Sequence, residues 1–502
     1  MQHFDVVIVG SGLGGLACGT IMAKEGYKVC ILEKNKQIGG MLQIFVRKKV
    51  IFDTGVHYVG GLSEGQNLNM LFRYLGIMDK VNIRKMDDDF VDGLIFDDDP
   101  VIYKYAQGYD NFIRVMLTYF PDEEVAIRTF CDKVKKICKQ FPLYNLQAGV
   151  YTDTENAYAT DTKAYLETLT SNKKLQAVLA GTNLLYAGQA NKTPLFVHAL
   201  IVNHYIESSW KFVDGGSQIA RYLATEITSR GGKILKHANV VKLKEEGGKI
   251  IYAETDSGER YFGETFISNV HPVKTLDMTE SKMFKNAYRS RLKSLESTVS
   301  VFYANVVLKK ETFKYINSNI YCFAKEDPWG ALEYTDDNWP QGWALFCTPS
   351  SKSSEYAEGL TIMSYMRIDE VQQWSDTFNT VSRESERGSE YEKFKTKKAE
   401  RLFDAVEKKF PGFRKCIDSY STASPLTARD YIGTDDGSLY GFAKDYREPM
   451  KSFISPRTKI PNLLLTGQNI NMHGVLGVTI SAVVTCSQVL GLEYLVEKIR
   501  NA

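Results

Sequence analysis

Apolar and polar positions alternate in two rhythms along this chain. Phe4–Val9 is a short β-branched apolar run that stops at Gly10, as a buried parallel strand does on entering a tight turn. A glycine-rich segment follows and leads into a helix, and a second run, Lys28–Leu32, closes on Glu33. Ser217–Arg230 reads as an amphipathic helix ended by Gly231-Gly232. Lys233–Leu235, Val240–Leu243, Lys249–Thr255 and Arg260–Ser268 read as strands, joined by turns at Gly247-Gly248 and Ser257-Gly258. Near the end, Pro461–Leu465 is an apolar strand running into Gly467, and His473-Gly474 opens a long apolar helix that reaches Val496. The blocks 80–200 and 295–420 between these parts are rich in aromatics, and no internal repeat stands out.

Composition narrows the class. With 502 residues, 44% hydrophobic and 24% charged, the chain can bury sizeable cores in two or three domains. Its 62 basic and 60 acidic side chains nearly cancel, so no global field draws it to nucleic acid or an anionic membrane. The 8 cysteines form no CxxC pair, which suggests neither a zinc site nor a disulfide framework and fits a reducing, cytoplasmic setting. Val6–Ala23 and Val475–Val496 are the longest apolar stretches, but both are interrupted by glycines or polar residues. No spanning helix is expected from either.

The strongest chemical signal is Gly10-Ser-Gly12-Leu13-Gly14-Gly15, a GxGxxG turn between a strand and a helix. Gly10 permits the turn, Gly12 lets the backbone approach a pyrophosphate, and Gly15 lets the helix pack on the strand. Glu33 follows Gly12 by 21 residues, where a carboxylate accepts hydrogen bonds from both ribose hydroxyls of an adenosine. What comes next separates FAD from NAD. Lys34–Ile38 and then Gly39-Gly40 give a backbone suited to a flavin's ribityl and phosphate, and no second GxGxxG exists for a resident nicotinamide nucleotide. At the other end Gly474 and Gly477 open a helix whose dipole stabilises negative charge on a reduced isoalloxazine.

These residues, with Phe52-Asp-Thr-Gly-Val-His57-Tyr58, Val213-Asp-Gly-Gly-Ser217, Ile267-Ser-Asn-Val270, Ser424-Pro-Leu-Thr427, Gly433, Tyr440-Gly441 and Leu465-Thr-Gly-Gln468, carry a family resemblance. The chain resembles the phytoene desaturase, carotenoid isomerase and retinol saturase group of FAD-dependent oxidoreductases, within the amine-oxidase-like superfamily. The FDTGxHY element points to the saturase and isomerase branch. The resemblance implies an α/β fold: a discontinuous Rossmann-type FAD-binding domain at 1–80, 200–294 and 420–502, with an inserted α+β substrate-binding domain at 81–199 and 295–419. It implies FAD contacts at Gly10, Gly12, Leu13, Gly14, Gly15, Glu33, Lys34, Gly39, Gly40, Met41, Asp53, Thr54, Gly55, His57, Val240, Asn269, Gly467, Gln468, Asn469, Gly474, Val475 and Gly477. Family members commonly place an acid after the late glycine, whereas Gly467 is followed by Gln468-Asn469, whose amides can still bind a ribityl hydroxyl.

His57 and Tyr58 are the catalytic candidates, His57 either delivering a proton beside a hydride at flavin N5 or fixing a loop by two hydrogen bonds. Pro194–Trp210, with Phe196, His198, His204, Tyr205 and Trp210, either lines a tunnel for an apolar substrate or is ordinary core. The acidic stretches Asp87–Asp89, Asp92 and Asp97–Asp99 lack calcium-loop spacing and read as solvated loops around short strands, and no metal is expected. Ser350–Glu358 reads as a surface loop and Ser382–Arg401 as the solvent face of a helix.

The expected activity is saturation, desaturation or isomerisation of a carbon–carbon double bond in a polyene, isoprenoid or other long-chain lipid. The expected partners are that apolar substrate and a diffusible electron donor or acceptor such as NAD(P)H, with no nucleic acid and with peripheral membrane contact compatible with a cytoplasmic protein. The alternatives are an amine-oxidase-like flavoprotein and a non-catalytic lipid carrier on the same scaffold.

Overall fold

A computed structural model describes residues 2–149, 155–381 and 383–502. The first apolar run forms the strand Gln2–Val9, in the middle of a seven-stranded sheet. Val6, Val7 and Ile8 are all fully buried, which is why this strand is apolar on both faces rather than alternating. Val29–Leu32 and then Lys233–Leu235 extend the sheet in parallel on one side, and Arg260–Ser268 lies parallel on the other. The sheet forks at this last strand. Its first half pairs antiparallel with Lys249–Thr255, which pairs in turn with Val240–Glu246, while Phe266–Ser268 pair parallel with Leu463–Leu465.

The helix Leu13–Lys24 covers one face and packs against Ser217–Ser229 and Gly474–Leu490. On the other face Phe4, Val7, Cys30 and Leu32 pack with Leu276, Leu292 and Ile454. The parallel strands run in the order of a doubly wound fold, so the crevice at their carboxyl ends opens where the connections diverge, beside Gly10 and Asn269.

A second seven-stranded sheet has the order Ile417–Ala423, Ser300–Leu308, Gly359–Met366, Gly342–Phe346, Asn319–Phe323, Asp92–Phe96, Tyr103–Tyr105. All its pairings are antiparallel except that of Asn319–Phe323 with Asp92–Phe96. The helix Ser389–Lys409 buries Ala399, Leu402, Phe403 and Val406 against one face of it; most of its charges turn outward, but Lys398, expected on the solvent face, is fully buried and paired with Glu370, and the helix begins only at Ser389. Helices between Tyr109 and Glu207 surround the other side. The strand Ile417–Ala423 runs across the expected junction at 419/420, because its hydrogen-bonding partner is Ser300–Leu308.

Other expectations change in detail. The apolar stretch expected to form one helix to Val496 forms two, Gly474–Leu490 and Leu492–Arg500, parted by Gly491 at φ +91°. No described helix is long and apolar enough to cross a membrane. Ser382, the first residue of the charged run, lies outside the described residues. The acidic region is not uniformly solvated: Asp87, Asp88 and Asp89 are exposed, but Asp92 is 1% exposed inside a strand. Apolar neighbours on both sides, from Phe90-Val91 to Leu94–Phe96, pull it into the sheet.

Candidate active site

The first turn is built so that little but backbone faces the crevice. Gly10 has φ +92° and donates its N–H to the Leu32 carbonyl at 2.8 Å, which ties the turn to the neighbouring strand end. A Cβ on Gly15 would stand 2.0 Å from the Gly10 carbonyl oxygen, so the helix sits closer to the strand than any side chain allows. Gly15 therefore packs the turn and does not line the cavity. Gly12 is the N-cap of the helix, with no side chain capping it, so the first N–H groups are left for an anion. Ser11 donates its backbone N–H to Glu33 Oε2 at 2.9 Å and Asn35 donates its own to Oε1 at 2.8 Å, which fixes the carboxylate at the mouth of the turn. Gly39, at φ +110°, donates to the Ser11 carbonyl at 3.0 Å and brings Gly40 and Met41 to the same wall.

The C-terminal motif meets this turn from the other side. Asn269 follows the central strand pair and lies between the two: a Cβ on Gly14 would stand 2.5 Å from Asn269 Oδ1, and one on Gly467 3.0 Å from the same atom. The helix Gly474–Leu490 also starts with no side-chain cap, behind His473. Asn469 is less free than expected, because its Oδ1 accepts the Phe442 N–H at 2.9 Å. Gln468 makes no such bond and lines the cavity.

One continuous cavity of ≈ 1190 Å³ joins these parts to an apolar chamber. It exceeds the roughly 300–1,000 Å³ of an ordinary small-ligand site. Leu13, Gly14, Glu33, Lys34, Met41, Val240, Asn269, Gln468, Gly474, Val475 and Gly477 line its nucleotide half. Phe141, Leu143, Tyr144, Phe196, Leu200 and Ile201 line the other. In the helix Leu195–Glu207, then, Phe196, His204 and Tyr205 face the cavity. His198 does not; its Nδ1 is 2.8 Å from Tyr186 Oη in the core, and Trp210 lies in the strand Ser209–Phe212.

The segment Asp53–Tyr58 divides by role. Asp53 and Thr54 do not line the cavity. Asp53 Oδ1 accepts the Gly216 N–H at 2.7 Å, and burial pushes the carboxyl up to about 7. The Thr54 hydroxyl donates to the Gln43 carbonyl at 2.9 Å. Both brace neighbouring segments rather than the crevice. Gly55, His57 and Tyr58 do line it. The His57 ring stacks on Phe346 at 4.3 Å and 8°, and neither ring nitrogen has a hydrogen-bond partner. Burial, and then the charge of Lys211, push His57 down to about 3. The loop-fixing role expected of His57 is corrected accordingly, since neither nitrogen makes the two hydrogen bonds it needs, and burial disfavours the protonated ring that proton delivery would use.

Comparisons with known proteins now bear on this geometry. The family described as NAD(P)-binding Rossmann-like domain matches residues 8–75, the strand, turn and helix just described. All-trans-retinol 13,14-reductase of Rattus norvegicus is 27% identical, over 97% of this chain and 86% of its own length. Prolycopene isomerase 1 of an Oncidium hybrid cultivar is 26% identical, over 98% of this chain and 85% of its own. Over nearly its whole length, then, the chain is similar to a retinol 13,14-reductase and to a prolycopene isomerase. Among solved structures, an oxidoreductase from Methanosarcina mazei aligns with TM-score 0.63 at 16% identity, covering 95% of this chain and 98% of that one. Putrescine oxidase bound to putrescine aligns with TM-score 0.63 at 13% identity, covering 97% and 99%. These likenesses show the fold alone, which the chain shares with that oxidoreductase and with putrescine oxidase.

Within that fold, several wall residues gave no sequence signal. Phe346 and Tyr303 come from the second sheet, where alternation with buried neighbours on both faces hides which side meets the cavity. Lys444 lines the cavity with no hydrogen bond or ion pair to a described residue, and burial lowers it to about 8. Its place after Tyr440-Gly441 was the one available hint.

Proposed function

We propose that the protein is an FAD-dependent oxidoreductase acting on a carbon–carbon double bond of a polyene, isoprenoid or long-chain lipid. The observation that carries this reading is the single cavity that joins a dinucleotide crevice to an apolar chamber. The crevice fits FAD. Two uncapped helix starts, at Gly12 and His473, offer N–H groups to the pyrophosphate and to the pyrimidine edge. The space a Cβ would occupy at Gly12 and Gly14 is taken up by Asn269, so these two positions offer bare backbone to the crevice. Glu33, Val240 and Gln468 line the crevice, where Glu33 would bind the adenosine ribose, Val240 the adenine and Gln468 the ribityl chain. Bound there, FAD supplies hydride chemistry at N5.

The chain's own residues then orient and shield. Phe141, Phe196, Leu200 and Ile201 hold an apolar chain and exclude water. His57, neutral and stacked on Phe346, presents an uncharged ring rather than a cation to that chain. Met450 and Phe453, 68% and 54% exposed, belong to the same cavity wall, which supports entry of substrate from a bilayer surface by peripheral contact. A diffusible donor such as NAD(P)H would reload the cofactor.

One observation weighs against amine oxidation. Among the described residues lining the cavity, Glu33 is the sole carboxylate and stands at the nucleotide end, so the chamber offers an ammonium group no counter-charge. The test is anaerobic reduction of the FAD-loaded protein, then addition of all-trans-retinol or an acyclic carotene with product analysis. Reoxidation with a shortened or isomerised polyene chromophore is expected. Oxygen consumption with putrescine and an unchanged polyene would overturn the reading.

A further inference from the structure

Asp92 is buried behind the cavity wall in an unusual setting. Its Oδ1 accepts Asn319 Nδ2–H at 2.9 Å, and its Oδ2 is 3.1 Å from Tyr58 Oη, which is itself 2.8 Å from Tyr321 Oη. The other groups packed around it are Tyr105, its partner across the strands, Tyr205, tilted against Tyr58 with ring centres 4.5 Å apart, and Lys211. Lys211 donates instead to the carbonyls of Ser318 at 3.1 Å, Cys347 at 3.2 Å and Ile316 at 3.4 Å. The carboxyl thus has no cation in hydrogen-bond contact among the described residues, and burial pushes it up to about 7. Burial also lowers Lys211 to about 8. Of Asp92, Tyr58 and Tyr321, only Tyr58 lines the cavity.

We propose that Asp92 feeds a proton to the cavity through Tyr58, with Tyr321 as the third oxygen of the relay. The hydrogen-bond geometry allows two settings. With Asp92 protonated, its O–H points to Tyr58 Oη and the Tyr58 O–H is freed from the carboxylate; with Asp92 ionised, the Tyr58 O–H points back to Oδ2. The relay rests on the double-bond chemistry proposed above. Saturation adds a hydride to one carbon, from a dihydroflavin as two-electron donor, and a proton to the other. The Tyr58 O–H bond breaks as that C–H bond forms, and the Asp92 O–H bond breaks as the Tyr58 O–H is restored. Asp92 is left as a carboxylate held by Asn319 and Tyr58, and takes a proton from solvent before the next turnover. Tyr58 is the residue that meets substrate, and Asp92 is a positioning residue that acts through it.

The experiment uses FAD-loaded protein reduced anaerobically with dithionite and mixed with all-trans-retinol, the single-turnover rate being followed across pH. A wild-type rate that falls as pH rises through about 7 is expected. Asp92→Asn should remove this limb and stay at the wild-type high-pH rate, and Tyr58→Phe should lower the rate on the order of 10²-fold at every pH. A second readout needs no turnover: of the infrared bands of the two buried carboxylic acids, Asp53 and Asp92, the one assigned to Asp92 by its loss in Asp92→Asn should titrate in the wild type with the same midpoint, while that of Asp53 remains. An unchanged limb in Asp92→Asn overturns the relay while leaving the double-bond chemistry standing. So does a wild type in which neither carboxylic band shares the midpoint of the rate, a comparison that holds even where Asp92→Asn does not fold. A wild type that leaves retinol unchanged at every pH contradicts the functional reading itself, and the relay falls with it.

Discussion

The amide oxygen of Asn269 occupies the place where a methyl group on Gly14 would lie, with 2.5 Å between them. The same methyl would stand 3.1 Å from the backbone of Gly467, so the two nucleotide motifs, far apart in sequence, meet across one glycine. Gly14→Ala should therefore destabilise the fold by about 1–3 kcal/mol and weaken FAD binding, despite alanine's better helix propensity. Asn269→Ala in the same chain should recover part of the loss, since a flexible side chain is removed but the Gly467 backbone remains. Thermal unfolding of the four proteins of this cycle checks it, and strict additivity would count against the contact.

Glu33 is held by Ser11 and Asn35 with its carboxylate on the cavity wall. Replacing it with glutamine exchanges an ionised acceptor for an amide, which costs the charge-assisted bonds to a ribose. FAD affinity of the apoprotein, measured by fluorescence titration, should fall roughly 10- to 100-fold. An unchanged affinity would place the adenosine elsewhere.

Buried titratable groups set the acid limb of stability. Burial lowers His57, His198 and His204 to about 3 and His473 to about 4. These folded values are depressed, so the unfolded chain binds four protons that the native state refuses as pH falls below about 6.5. Asp53 and Asp92, raised to about 7, act in the opposite sense, because the native state keeps two protons that the unfolded chain releases. His271, lowered, and Glu207, raised, offset one another. The balance is about two protons taken up on unfolding, so stability should fall by roughly 2–3 kcal/mol per pH unit on acidification from pH 6.5 towards 4. Unfolding midpoints of the cofactor-free protein across that range test the sign. A rise in stability on acidification would contradict it.

Much of the nucleotide half was legible because its chemistry demands particular residues at fixed spacing. Gly10, Gly12, Glu33 and the late Gly467 and Gly474 each answer a backbone or charge requirement that no other residue type meets. Asp53 and Thr54 were misplaced because their motif names a segment, and only the pairing of Val50–Asp53 with Ile44–Arg47 shows which of its residues turn inward. The second sheet was less legible for a different reason. Its strands Asn319–Phe323, Gly342–Phe346 and Gly359–Met366 are buried throughout, so no polar alternation marks a face. Asp92 was read with its exposed neighbours Asp87–Asp89 because a run of acids looks alike until the apolar residues beside one member are weighed.

The apolar chamber and the crevice should be separable by substitution. Ile201 lines the chamber on the helix Leu195–Glu207, away from the glycine turns. Ile201→Trp should leave the flavin spectrum unchanged and abolish polyene turnover by filling the chamber. Loss of flavin along with turnover would mean that the chamber and the crevice are not independent.

The central claim, that this cavity holds FAD, is tested most directly by the absorbance spectrum of the purified protein supplied with FAD and freed of excess by gel filtration. The account predicts the near-ultraviolet and blue bands of an oxidised flavin, bleached by dithionite, at about one flavin per chain, as a single dinucleotide crevice requires. A protein that emerges colourless would contradict it.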